Sequence, residues 1–128
     1  MSDPLFLTLD EVLLLHAEAM EHFGGAGGVR DLGLIESAVA MPQQMYGEQF
    51  LHSDLAEMAA AYLFHLASNH GFIDGNKRVA TRAAYVFLAL NGRETDFPVD
   101  ATERLVLAVA SGTTSKEQVI DFFRSLLT

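Results

Sequence analysis

The sequence predicts an all-α fold, a compact bundle of about six helices. Apolar residues recur at three- and four-residue intervals along most of the chain. Residues able to cap a helix precede those stretches, and Gly or Pro follows them.

The first helix is set by Thr8 and Glu11, which have the spacing of a capping box. An apolar stripe follows at Leu9, Val12, Leu13, His16, Met20 and Phe23, and the GGAGG run at Gly24 to Gly28 ends it. Asp31 caps a second helix through Leu34, Ile35, Ala38 and Val39, which Pro42 stops. Residues 43 to 52, QQMYGEQFLH, have no helical period and read as a loop or short hairpin. Ser53 is the expected cap of a third helix carrying Leu55, Met58, Tyr62, Leu63 and Leu66, ending near Asn69.

A fourth helix runs from about Asn76 to Leu90 through Val79, Ala83, Val86 and Phe87, and Asn91-Gly92 stops it. It is expected to be the central, most buried helix. Arg93 to Val99 looks extended and is a candidate strand. Asp100 with Glu103 should box a fifth helix through Leu105 to Ala110, which Gly112 ends. Thr114 with Glu117 should box a sixth through Val119, Ile120, Phe123 and Leu127. No repeat or linker divides residues 1 to 128, so one domain is expected.

Composition narrows the function. The formal net charge is −9, and Arg30 is the only Lys or Arg before Lys77, in a span holding eleven of the seventeen acidic residues. Duplex binding relies on many basic contacts to phosphates, so direct DNA binding is not expected. The chain has no cysteine, which excludes disulfides and thiolate metal sites and suits a reducing cytoplasm. The apolar stretch Leu13 to Leu15 is too short for a signal peptide or a membrane span, so a cytoplasmic location is expected.

Against that background, the stretch His70 to Arg82, HGFIDGNKRVATR, stands out, with its three basic residues directly ahead of a long apolar run. Gly75-Asn76 is a turn signal at a helix start, where amide N–H groups lack intrahelical partners. Such amides, the positive end of the helix dipole and a glycine that lets a ligand reach the main chain together suit a phosphate. Arg78 and Arg82 are four apart, on one helix face and roughly 6 Å apart along its axis, so both can grip one polyphosphate. His70 supplies an imidazole, a group able to take a proton from a hydroxyl. Asp74 offers the oxygen ligand that Mg2+ prefers. Phe72 is expected to pack inward and stiffen the loop.

Each residue alone has a plainer reading: an ordinary turn, a solvated arginine face, a surface histidine. Their co-occurrence in a chain otherwise poor in basic residues favours the phosphate site. His16 and His65 read as core or boundary residues, and the spacing of His65 and His70 is poor for zinc without a third ligand.

The segment HGFIDGNKRVATR resembles the signature of the Fic/Doc superfamily, HxFx(D/E)GNxRxxR. Lys77 is similar to the death-on-curing (Doc) branch, where lysine replaces the usual glycine. The GG-rich turn followed by VRDLGLIESAVAMPQQMYG and the helix end FLALNG extend the resemblance over most of the chain. At Gly75 the branch's namesake has alanine, which leaves the motif intermediate between the two branches.

The resemblance implies His70 as general base, Asp74 as the Mg2+ ligand, and Gly75, Asn76 and Lys77 as the anion cradle. Arg78 and Arg82 would bind the phosphates of ATP, and a flap around Met45, Tyr46, Gly47 and Phe50 would line up the target chain. With lysine at 77 the implied reaction is transfer of the γ-phosphoryl group to a protein hydroxyl, a threonine of elongation factor Tu, which blocks translation. Transfer of AMP and an inactive Fic-fold binding module are the alternatives. The implied regulator is a Phd-like antitoxin whose C-terminal segment folds against the toxin as a helix.

Overall fold

The described residues form six α-helices: α1 (Leu9–Phe23), α2 (Leu32–Ala40), α3 (Leu55–Asn69), α4 (Asn76–Leu90), α5 (Val99–Ala110) and α6 (Lys116–Leu127). The computed structural model describes residues 3–25 and 27–128, so position 26 of the GGAGG run lies outside the described residues. The all-α expectation holds. Residues 43 to 52 form a hairpin in which β1 (Met45–Tyr46) pairs antiparallel with β2 (Gln49–Phe50), Met45 opposite Phe50.

The caps follow local chemistry, with three shifts from the sequence reading. Thr8 and Glu11 form the expected box, the Thr8 hydroxyl accepting from the Glu11 amide at 3.1 Å and the Glu11 carboxylate from the Thr8 amide at 2.9 Å. Asp31 caps α2, which gives way at Ala40 to a 3-10 turn containing Pro42. The cap of α3 is Asp54 rather than Ser53, because the Asp54 carboxylate reaches the Glu57 amide at 2.8 Å while Ser53 donates back to the Glu57 carboxylate. The Asp100–Glu103 box does not form. α5 starts two residues earlier, after Pro98, whose carbonyl accepts from the Thr102 amide at 2.9 Å and whose ring supplies the φ of a helix entrance. In α6 the box is Ser115 with Gln118, one position beyond Thr114 and Glu117. Arg93 to Val99 forms no strand: Phe97 packs edge-on against Tyr85 and Phe123, and among the described residues no neighbouring strand supplies a ladder.

The centre of the bundle is α3, not α4 as the sequence suggested. Nine of the fifteen residues of α3 are buried, against six of fifteen in α4. Small side chains at Ala56, Ala59, Ala60, Ala61 and Ala67 let α2, α4, α5 and α6 close on α3 from several sides. Tyr62, Phe87 and Phe123 are fully buried, each contributing about 1.5–3 kcal/mol of hydrophobic stabilisation. The Tyr62 hydroxyl accepts from the Leu7 amide at 2.9 Å, and burial pushes its phenol up to about 12. Among the described residues no helix is long and apolar enough to cross a membrane. α1 and α2 pack on the α3–α4 pair, which brings the loop after α1 against the loop joining α3 to α4.

Candidate functional site

The α3–α4 loop is held by its own apolar residue. Phe72 is buried and stacks on the His16 ring of α1 with centroids 3.7 Å apart. His16, itself buried, places Nε2 2.7 Å from the Asp74 carbonyl oxygen, so that nitrogen carries the proton and donates. The Asn76 side chain clamps Phe72 from both sides, accepting from its amide and donating to its carbonyl, each at 3.0 Å. The segment after α1 lies alongside: Ile73 donates to Gly28, and the Arg30 and Asp31 amides donate to the Gly71 carbonyl at 2.8 and 2.9 Å. A Cβ on Gly71 would lie 2.4 Å from Ile35 Cγ1, so this close approach requires glycine. At the rim, His70 is exposed and adopts a left-handed conformation, φ 52° and ψ 46°.

Gly75 opens α4 with φ +81°, and a Cβ there would lie 2.3 Å from Met20 Cε. One detail departs from the sequence reading. The Gly75 amide is not open to a ligand, since Asp74 Oδ1 accepts from it at 2.7 Å. The amides of Asn76, Lys77 and Arg78 have no acceptor among the described residues, and the first helical bond is from Val79 to the Gly75 carbonyl. Asn76 thus leaves its amide open while its side chain holds the loop.

The cations follow on the first two turns of α4. Lys77 and Arg78 are exposed, and the Arg78 guanidinium sits 4.8 Å above the Phe23 ring at the end of α1. Arg82 Nε is buried without a hydrogen-bond partner. Among the described residues only Arg124 makes ion pairs, so no carboxylate neutralises Lys77, Arg78 or Arg82. Lys77 and Arg78 border a concavity of about 290 Å3 that also holds Gly24, Gly25 and Asp74. It adjoins a groove of about 490 Å3 between α4 and α5, sharing Phe23, Lys77 and Arg78 and adding Arg82, Glu103, Val106 and Leu107. An unpartnered buried guanidinium nitrogen beside uncovered amides is a place for an anion.

Among the described residues no three His, Cys, Asp or Glu side chains gather to cage a metal. Mg2+ needs no such cage, because it keeps waters and takes one or two carboxylates plus substrate phosphate oxygens. Asp74, with Oδ1 turned to the Gly75 amide and Oδ2 toward Gly25, fits that limited role. In the hairpin, Met45 and Tyr46 are exposed and Gly47 makes the turn with φ +65°. Phe50 instead turns inward, its ring 5.5 Å from that of Phe6.

The pattern left Phe23, Glu103 and the His16 contact unassigned. His16 had a signal, a polar ring in an otherwise apolar stripe. Phe23 and Glu103 reach the site only through the packing of α1 and α5 on α4.

The fold is helical, with open amides at a helix start and an imidazole and a carboxylate in the loop before it, an arrangement chemically able to receive an anion. The profile of the Fic/DOC family matches residues 6–88, and the chain belongs to that family. It is similar to Toxin Doc of Mycolicibacterium smegmatis, 48% identical over 92 residues that make up 70% of each chain. It is also similar to Protein kinase doc of Escherichia phage P1, 32% identical over 117 residues, 91% of each chain.

Proposed function

We propose that the protein is a Doc-type toxin of the cytoplasm that transfers the γ-phosphoryl group of Mg-ATP to a protein hydroxyl, a threonine of elongation factor Tu, and so blocks translation. The observation that carries this reading is the uncompensated positive site at the start of α4: three open amides, Lys77, Arg78 and the unpartnered Arg82 Nε, just after the exposed His70. The names of the two relatives, one a toxin and one a protein kinase, agree with it.

In this reading the Asn76, Lys77 and Arg78 amides and the Lys77 ammonium hold the reacting phosphate. Arg78 and Arg82 hold the rest of the triphosphate. Asp74 would hold Mg2+, which supplies charge neutralisation on the phosphate oxygens. His70 accepts the proton of the attacking threonine hydroxyl. Phosphoryl transfer asks little covalent chemistry of a protein, so positioning and electrostatics carry the acceleration. Met45, Tyr46 and Gly47 of the hairpin dock the target chain, with Phe50 as its inward anchor.

The groove next door supports one direction for the nucleotide. With the γ-phosphate at Asn76, the nucleoside extends along α4 into the groove faced by Phe23, Val106 and Leu107, whose apolar surface suits a base. The reverse direction, which delivers AMP, would place a pyrophosphate there; Arg82 in the same groove keeps that second reading open to test. A Phd-like antitoxin, folding a helical segment against the toxin, is the proposed regulator.

One experiment separates the readings: incubate the protein with Mg-ATP and elongation factor Tu and weigh the intact product. A phosphate-sized gain, abolished by His70→Ala, is expected. An AMP-sized gain would establish the transferase, and no gain on that target or in a cell lysate would leave an inactive binding module.

A further inference from the structure

The loop before α2 carries a side chain that the proposed chemistry leaves unused. Arg30 is the only Lys or Arg among the first 76 residues, in the acidic half of the chain. Among the described residues its guanidinium makes no ion pair. The adjacent Asp31 carboxylate is engaged at the start of α2, where it accepts from the Leu34 amide. Arg30 Nε instead donates to the His70 carbonyl at 2.7 Å, and Nη2 to the Asn69 carbonyl at 3.4 Å. These two carbonyls close α3, where the dipole's negative end favours a cation and the last carbonyls lack intrahelical donors.

His70 itself is unusual. Among the described residues it is the only non-glycine with positive φ. A side chain held in that conformation persists only where its surroundings fix it. The backbone amides of Arg30 and Asp31 already bind the next carbonyl, that of Gly71, so three successive carbonyls, 69 to 71, are gripped from one short segment. Of those grips, only the guanidinium acts on His70.

We propose that Arg30 is a positioning residue, whose guanidinium, bonded to the carbonyls that end α3, holds His70 in the left-handed conformation that sets where its imidazole projects. The inference rests on the reading of His70 as general base. It gives the loop before α2 a role in transfer without contact with ATP. A near-attack geometry lost by about 1 Å costs up to roughly a hundredfold in rate, so losing Arg30 should slow turnover by about ten- to a hundredfold. Nucleotide affinity should hardly change, because the cradle lies on α4 and is clamped separately through Asn76 and His16.

The test compares Arg30→Ala and Arg30→Lys with wild type by two readouts. The first is the 13Cα shift and amide coupling of His70, which report its backbone conformation without any turnover. The second is transfer to elongation factor Tu, with kcat and the KM for ATP measured separately and guanidinium chloride added at millimolar, non-denaturing levels. Expected for Arg30→Ala are a His70 shift leaving the left-handed range and a lower kcat with KM within about twofold, partly restored by guanidinium ion. Arg30→Lys, which keeps the charge but loses the fork, should fall between. A His70 signal unchanged in Arg30→Ala overturns the proposal, as does undiminished kcat. So does a fall in kcat that guanidinium leaves untouched while KM rises and thermal stability drops. His70→Ala run alongside separates the two claims: full turnover in that variant refutes the general base, while the NMR readout still decides whether Arg30 holds the loop.

Discussion

Replacing Asn76 by alanine should unlatch the signature loop. The side chain makes two hydrogen bonds to Phe72, each at 3.0 Å, and no other hydrogen bond engages the Phe72 amide or carbonyl. Two such bonds are worth about 1 kcal/mol each, and the partly buried partners left unsatisfied add to that cost. Alanine returns about half a kcal/mol of helix propensity. The expected net loss is about 2 kcal/mol, or roughly 8 °C in Tm for a chain of this length. Asn76→Asp splits stability from binding. Its carboxylate still accepts from Phe72 and favours the first turn of α4, so its Tm should drop by no more than about half as much. A negative charge about 6 Å from a phosphate costs about 3 kcal/mol at an effective dielectric of about 20, so ATP affinity should fall at least about tenfold even with screening. Calorimetric unfolding of both variants and ATP titration of the second provide the check. An Asn76→Ala midpoint within about 2 °C of wild type, or wild-type ATP affinity in Asn76→Asp, would refute the reasoning.

Three further outcomes are expected. Gly75→Ala should cost about 1–2 kcal/mol, because the left-handed φ penalises a Cβ while the Met20 methyl in its way is a flexible tip; equal denaturant midpoints would count against it. Arg82→Gln should weaken ATP binding by at least about tenfold without loss of stability, since the guanidinium has no protein acceptor at Nε to lose; unaltered binding by calorimetry would remove it from the site. The third concerns Lys116, whose ammonium lies 2.8 and 3.0 Å from Nε2 of His52 and His65 and ties α6 to α3. Burial first, and Lys116 second, lower both imidazoles below their ordinary 6.5, His65 to about 4, although Glu57 pulls His52 the other way. The unfolded chain therefore binds more protons between about pH 6.5 and 4, and stability is lost as pH falls through that window. Fully buried, a shift of that size would amount to about 3 kcal/mol; with the cluster partly open to solvent, about 1–2 kcal/mol is expected. Urea midpoints should fall with pH less steeply in His65→Leu than in wild type, and identical slopes would contradict the linkage.

Much of this was readable in one dimension. The Thr8–Glu11 box, the Gly75 turn and the unperiodic hairpin segment are local features, and local rules placed them. The missed caps at Asp54 and Ser115 stand beside equally competent residues, and a one-residue choice between Ser53 and Asp54 is made by which oxygen meets the third amide. Burial rank was misread because the alanines of α3 look weakly hydrophobic in sequence, yet small side chains let four helices approach. At the site, residue types predicted the charge but not its use. Asn76 spends its side chain on Phe72, the Gly75 amide is taken by Asp74, and Arg30 meets His70 across forty residues. Such long-range contacts leave no spacing to read.

The central claim is that the start of α4 is a socket for a triphosphate. Titrating 15N-labelled protein with Mg-ATP tests it most directly. The account predicts that the largest amide shifts fall on Asn76, Lys77 and Arg78, with smaller ones at His70 and Asp74. Saturable binding whose largest shifts fall elsewhere, for instance around His52, His65 and Lys116, or no binding at all, would contradict it.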